Sequence, residues 1–283
     1  HWKTKEGLVR MCACRGTAGF AHVSCLAEQV KILMDEAEEN NLDFKVQNER
    51  WKRWYSCSLC EQDYHGVVRC ALGWACWKTY EGRPEADLFR LSAMRHIGNG
   101  LPTTEALPVR EAELSVLRRL GASEGNMVAA QSNLAMTYGE LGRHGEALCL
   151  RQDVYSAYLR LEGEEHEDTL RAAFNYATSL VELERFEEAK TLLRKMMPVA
   201  RLVLGKSHRV SLGMGWRYAR LLFEDDGATL ADLREAVSML VEMEPTARRV
   251  FGGAHPVAKS IQKSLQETRA ALAARELECT KIK

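Results

Sequence analysis

The chain has 283 residues, 46% of them apolar, which is room for two domains with cores of their own. Its 39 Lys and Arg balance 39 Asp and Glu, so it lacks the basic excess of a dedicated nucleic-acid surface and offers acidic membranes no attraction. No apolar run approaches the ~18–20 residues of a bilayer span; the longest, Val67 to Trp77, is broken by Arg69 and Gly73. The chain opens on His1 with no signal-like apolar segment behind it, and it is expected to be a fragment or a processed product.

Of nine cysteines, seven fall between Cys12 and Cys76, leaving only Cys149 and Cys279 beyond. A secreted domain stapled by disulfides spreads its cysteines; doublets beside a histidine point to metal in a reducing compartment, and a cytoplasmic location is expected. The order is Cys12-x-Cys14, then His22-x2-Cys25, then Cys57-x2-Cys60 after a long insert. Zinc takes four thiolate or imidazole ligands in a tetrahedron, and residues one to three apart reach one ion from a single turn. Each doublet is half a site, so three doublets make one and a half.

Between the doublets, Leu26 to Glu39 reads as a helix with Leu26, Val30, Leu33 and Ala37 on one face, and the acidic run Asp35 to Glu39 as its solvated end. Trp51, Trp54 and Tyr55 are expected to pack around the metal site. The stretch MCACRGTAGFAHVSCL with the later WYSCSLCEQDYHG resembles the second half of a RING-CH (RING-variant) zinc finger. The likeness rests on the C-x-C, Arg15-Gly16-Thr17, Phe20, the His22-x2-Cys25-Leu26 unit and the closing C-x2-C with Tyr64.

That resemblance, over residues 1–64, implies a cross-brace finger. Cys12, Cys14, Cys57 and Cys60 would hold one zinc; His22 and Cys25 would be half of a second site whose partners are expected upstream of His1. It further implies that the complete protein is a RING-type ubiquitin ligase meeting a ubiquitin-conjugating enzyme through the finger. The family's first loop is absent, the insert after Cys25 is long, and Glu61 stands where active ligases carry a basic or polar residue. This chain is therefore expected to be inactive by itself.

His65 to Glu81 reads as a bridging helix within residues 65–87, with Cys70, Trp74 and Trp77 on one face and Cys76 on another. Cys70 and Cys76, six apart, are expected in the core and not at a metal.

From residue 88 a 42-residue register appears. Asn133-Leu134-Ala135 recurs as Asn175-Tyr176-Ala177 and as Arg217-Tyr218-Ala219. Glu146-Ala147 recurs as Glu188-Ala189 and, after an insertion in Asp225-Asp226-Gly227-Ala228-Thr229, as Glu235-Ala236. A third mark is Gly163, Gly205 and Gly252, each with a histidine three residues on: His166, His208 and His255. Gly121 to Glu124 marks an earlier, degenerate unit whose first helix takes Ala93 and Gly100. Each unit reads as two helices, which cannot bury their apolar faces without stacking on neighbours. The expected repeats are 88–125, 126–167, 168–209 and 210–256, with a capping helix to residue 277. Ala135 and Ala147 allow close approach, while Tyr138 with Leu141, and Leu183 with Phe186, are expected to fill the space between helices.

The array resembles the tetratricopeptide repeat in the longer form of kinesin light chains. The overall expectation is a mostly α protein, a small zinc-binding finger followed by an α-solenoid. The resemblance implies a peptide groove lined by the first helix of each pair, with Asn133, Tyr138, Asn175, Arg217 and Arg220 as candidates; the alternative for Asn133 and Asn175 is a bond between neighbouring helices. The three histidines are expected to cap helix starts. No phosphate loop, G-x-S-x-G elbow or H-E-x-x-H helix is present, and no catalytic residue is expected. The reading is a zinc-binding adaptor recruiting a client protein or peptide through its repeats; the alternative is a scaffold whose finger only caps or dimerises the array.

Overall fold

The computed structural model describes residues 5–10, 12, 14, 16–225 and 227–281. Arg15 and Asp226, both marks in the sequence, lie outside the described residues. The chain packs as two compact units, His1–Gly142 and Arg143–Lys283.

In the first unit, β1 (Val9–Arg10) pairs antiparallel with β2 (Phe20–Ala21), Val9 opposite Ala21 and Arg10 opposite Phe20. Helices α1 (Val23–Glu39) and α2 (Phe44–Trp51) follow, then a 3-10 turn, Lys52–Trp54. The Asp43 carboxylate caps α2 by accepting from the Val46 amide at 2.9 Å. Next come α3 (Gly66–Tyr80), α4 (Leu88–Gly100), α5 (Thr103–Arg119) and α6 (Glu124–Glu140). Asp87 caps α4 and Ser123 caps α6.

The buried stripe of α1 is Ala27, Val30, Met34 and Ala37. Leu26 and Leu33, expected there, are only half-buried. The helix begins at Val23, and its inward face is rotated by about one residue from the leucines. The stripe meets Trp54, Cys57, Tyr64, Val68, Leu72, Cys76, Tyr80 and Ala93, so one core joins the cysteine-bearing turns to α3 and α4. Trp51 stacks on Phe89 at 5.5 Å and Trp54 meets Tyr80 edge-on at 6.4 Å, geometries that add to the burial of area. Helices α3 and α4 approach so closely that a Cβ on Gly100 would stand 2.9 Å from the Arg69 carbonyl oxygen. Only glycine fits there.

Among the described residues the second unit has six helices: α7 (His144–Leu161), α8 (Glu167–Glu182), α9 (Phe186–Val203), α10 (Arg209–Phe223), α11 (Leu230–Phe251) and α12 (Pro256–Lys281). Successive helices pack on one another, and α10 also touches α8 and α12. First helices of neighbouring pairs thus lie side by side. Ala147, Ala177, Ala189, Ala219 and Ala236 are all fully buried. Around them Leu170, Leu180, Leu193, Met196, Met214 and Leu240 fill the core, each worth about 1.5–3 kcal/mol on burial.

Leu183 and Phe186 do not fill the inter-helix space; they are 37% and 42% exposed. They flank the turn at Glu184, whose φ of 58° ends α8, and this turn carries both side chains out of the interface. The five-residue insertion sits between α10 and α11. There the Asp225 carboxylate accepts from the Gly227 amide and the Lys190 ammonium, and a capping box of Thr229 and Asp232 starts α11. No described helix is long and apolar enough to cross a membrane.

Candidate metal centre and peptide groove

The sulfurs of Cys12, Cys14, Cys57 and Cys60 all lie within 4.8 Å of one another. Arms of about 2.3 Å make a tetrahedron with edges of about 3.8 Å, and Cys14 Sγ to Cys57 Sγ is 3.8 Å. The donor set therefore fits a zinc ion. The loop from Cys57 is pinned on both sides. The Cys57 amide donates to the Gln62 carbonyl at 2.9 Å, the Glu61 amide returns to the Cys57 carbonyl at 3.0 Å, and the Tyr64 amide reaches the Tyr55 carbonyl at 2.8 Å. Glu61 takes a φ of 56°, a conformation that costs most side chains of order 1 kcal/mol.

The thiols respond unequally. Burial opposes ionisation of Cys57, but the Cys60 and Leu59 amides, together with hydrogen bonds from the Cys12 and Cys60 thiols, bring this thiol down to about 7. The Leu59 amide stands 3.4 Å from the sulfur. Hydrogen bonds with the neighbouring Cys12 and Cys60 sulfurs hold Cys14 up at about 12. Burial, then the charge of Cys57, lifts the Tyr64 phenol to about 12.

His22 precedes α1 and Cys25 is in its first turn; Cys25 Sγ lies 3.7 Å from His22 Nδ1, and the thiol is exposed. These two supply a pair of donors, whereas the four-cysteine cluster is the one group of three or more metal-ligating side chains among the described residues. Cys76 is fully buried, with its thiol pushed far up by that burial, and Cys70 is half-buried on the same helix.

In the repeats, the structure places Asn133 and Tyr138 in the first unit and Asn175, Arg217 and Arg220 in the second. One arrangement occurs twice. Arg110 of α5 donates to the Asn133 carbonyl and, at 2.6 Å, to the Thr137 hydroxyl of α6. Arg151 of α7 donates to the Asn175 carbonyl at 3.4 Å and to the Ser179 hydroxyl of α8 at 2.6 Å. The backbone of each asparagine thus ties two helices, leaving its amide side chain out of the tie. Asn133 is half-buried and Asn175 is exposed. The Tyr138 hydroxyl donates to Glu111 at 2.9 Å.

The second unit collects charge at α8 and α10. A Cβ on Gly213 would stand 2.7 Å from the Phe174 ring, so the two helices meet closely there. The Arg217 guanidinium lies 6.0 Å from both the Phe174 and the Trp216 ring centroids, and Arg220 lies 5.5 Å from Trp216. Arg220 pairs with Glu224 at 2.6 Å, and Arg151 approaches Glu182 at 3.4 Å. Arg217 Nε is buried with no hydrogen-bond partner among the described residues. Burial, then the charge of Arg220, lowers the Arg217 guanidinium, and burial lowers that of Arg151. Three guanidiniums face two carboxylates, and the exposed Asn175 amide stands on the adjoining helix. Arg151 falls outside the groove residues expected from sequence, because it belongs to the second helix of its pair.

Residues 126–201 match the family of the tetratricopeptide repeat. Among solved structures, the chain is similar to a Podosopora anserina protein of nearly identical TPR-like repeats, described as kinesin light chain. The two share 17% identity, with 81% of this chain and 97% of that chain covered and a TM-score of 0.53. A single-substitution variant of the same protein gives 19% identity, the same coverage and a TM-score of 0.53. At such identity the likeness shows the fold. No curated protein matches this chain in sequence. The helix pairs and the family match over residues 126–201 show tetratricopeptide-type repeats there, and the likeness over the wider chain is one of fold. In form its array is like the repeats of that kinesin-light-chain structure.

Proposed function

We propose that this chain is a cytoplasmic adaptor in which a zinc-supported finger is joined to repeats that take an acidic peptide segment of a client. The observation carrying the client reading is the cluster of Arg151, Arg217 and Arg220 beside the exposed Asn175. A guanidinium pairs with a carboxylate side chain or a chain terminus, and an amide holds a peptide backbone. An excess of cations over carboxylates, beside the Trp216 and Phe174 rings, suits such a segment and repels a basic one. Zinc at Cys12, Cys14, Cys57 and Cys60 would cross-link the segment of Cys12 and Cys14 to the loop of Cys57 and Cys60.

In the complete protein we further propose RING-type ubiquitin transfer, the finger holding a loaded conjugating enzyme. Such a ligase positions reactants and forms no covalent intermediate, so it needs no nucleophile of its own. Auto-ubiquitination by the full-length protein tests this directly; no chain formation with any conjugating enzyme would leave the finger a structural cap. For the client, a peptide library graded in acidity is the test. Retention independent of peptide charge would overturn the groove reading.

A further inference from the structure

His166, His208 and His255 each stand one residue before a helix, α8, α10 and α12. In all three the ring Nδ1 accepts from the backbone amide two residues on, from Asp168 at 3.2 Å, Val210 at 3.3 Å and Val257 at 3.2 Å. This is work usually done by Ser, Thr, Asp or Asn. An imidazole can do it only while Nδ1 carries a lone pair. Once protonated, both ring nitrogens are donors, and a cation faces the positive end of a helix.

We propose that these three histidines form an acid-sensitive latch at the starts of α8, α10 and α12, the first helices of two successive pairs and the capping helix behind them. The caps of the first unit make the contrast: α2, α4 and α6 start on Asp43, Asp87 and Ser123, the ordinary oxygen caps, with no imidazole in that role. In the second unit α11 is likewise capped by Thr229. Among the described residues, His22 and His65 also stand before helices, α1 and α3, but make no cap hydrogen bond, so the imidazole caps are those of the periodic histidines.

The groups facing each ring grade the response. His166 Nε2 is 4.0 Å from Glu162, at the end of α7, and its Nδ1 is 3.7 Å from Asp168, which also pairs with Arg171. His208 Nε2 is 3.8 Å from Glu167 of α8. His255 is stacked on Phe251, ring centroids 5.0 Å apart, and no carboxylate pairs with it among the described residues. Protonation is partly compensated by carboxylates at the first two positions and uncompensated at the third. The start of α12 therefore loses the most when its cap is protonated. Helices α8 and α10 carry Asn175, Arg217 and Arg220, so the latch would couple acid to release of a client. That consequence rests on the proposed groove; the latch itself does not.

The test is thermal melting of the full chain between about pH 7.5 and 5.0, comparing wild type with the triple variant H166N/H208N/H255N and with H255N alone. Asparagine caps as well and does not titrate. Wild type is expected to lose about 3–10 °C more than the triple variant across this range, with H255N alone recovering most of that difference. The other histidines are common to all three proteins and cancel. Parallel curves for wild type and triple variant would overturn the proposal. Should the triple variant fail to fold, amide protection at Val257 in wild type decides: it should fall in acid relative to that at Asn126, behind the Ser123 cap, and an unchanged ratio would equally overturn it.

Discussion

His96 Nε2 lies 3.0 Å from the Trp54 carbonyl oxygen, both residues buried, so the helix that opens the repeats is bonded to the turn just before Cys57. Burial lowers the imidazole to about 4, because a charged ring there would be stranded from water. The folded state thus prefers the neutral ring. Its contribution is fully present above the ordinary value near 6.5 and is lost as pH falls toward 4. The shift corresponds to about 3 kcal/mol. His96→Gln can keep a donor to Trp54 without titrating, and denaturant unfolding of this variant should depend less on pH between about 6.5 and 4 than wild type. Equal slopes would refute the assignment.

Metal analysis of the purified chain after gel filtration should return close to one zinc per chain, from the four clustered sulfurs. Cys57→Ser should reduce it several-fold, since the thiolate that forms most readily is lost. Chelator should loosen residues up to about Cys60 while leaving most of the helical signal of α7 to α12, which share no ligand with the cluster. A metal content near zero would sink the zinc-finger reading.

In the groove, Asn175→Ala and Arg217→Met should weaken client binding by about 1–3 kcal/mol each and leave the melting temperature within a few degrees. Asn175 is exposed and its carbonyl, which makes the helix tie, survives the substitution. Ala177→Leu should instead destabilise by roughly 1–3 kcal/mol through overpacking, because Ala177 is fully buried. Early melting with normal binding in the first two variants would place those residues in the framework instead of the groove.

Arg110→Met keeps the apolar stem and removes the bonds to Asn133 and Thr137. It should cost about 1–3 kcal/mol, read as a lower denaturant midpoint for the first unit. An unchanged midpoint would show that the tie between α5 and α6 contributes nothing net.

The repeats are legible in sequence because each pair must solve the same local problem with the same small residue, as at Ala135, Ala177 and Ala219. The histidine caps are legible for the same reason. The partners of Asn133 and Asn175 are not. Arg110 and Arg151 sit on the preceding helix, 23 and 24 residues back, so they break the 42-residue register by one and leave no periodic trace. The inward stripe of α1 departs from its hydrophobic pattern because Leu26 and Leu33 outrank Ala27 and Met34 in hydrophobicity; the core selects by direction, and α1 presents the alanine and methionine. The cysteine doublets can be read because ligands of one ion must come from tight turns, whatever surrounds them.

Five of the six tryptophans lie at or before Trp77, and Trp216 is alone in the rest of the chain. Its indole Nε1 donates to the Ser264 hydroxyl at 3.0 Å, with the Arg217 and Arg220 guanidiniums 6.0 and 5.5 Å from its ring. A carboxylate drawing those cations away would change the field across that ring and hence its emission. With the five earlier indoles replaced by phenylalanine, the groove would carry its own optical probe, and a client could be titrated by fluorescence without any dye attached to either partner.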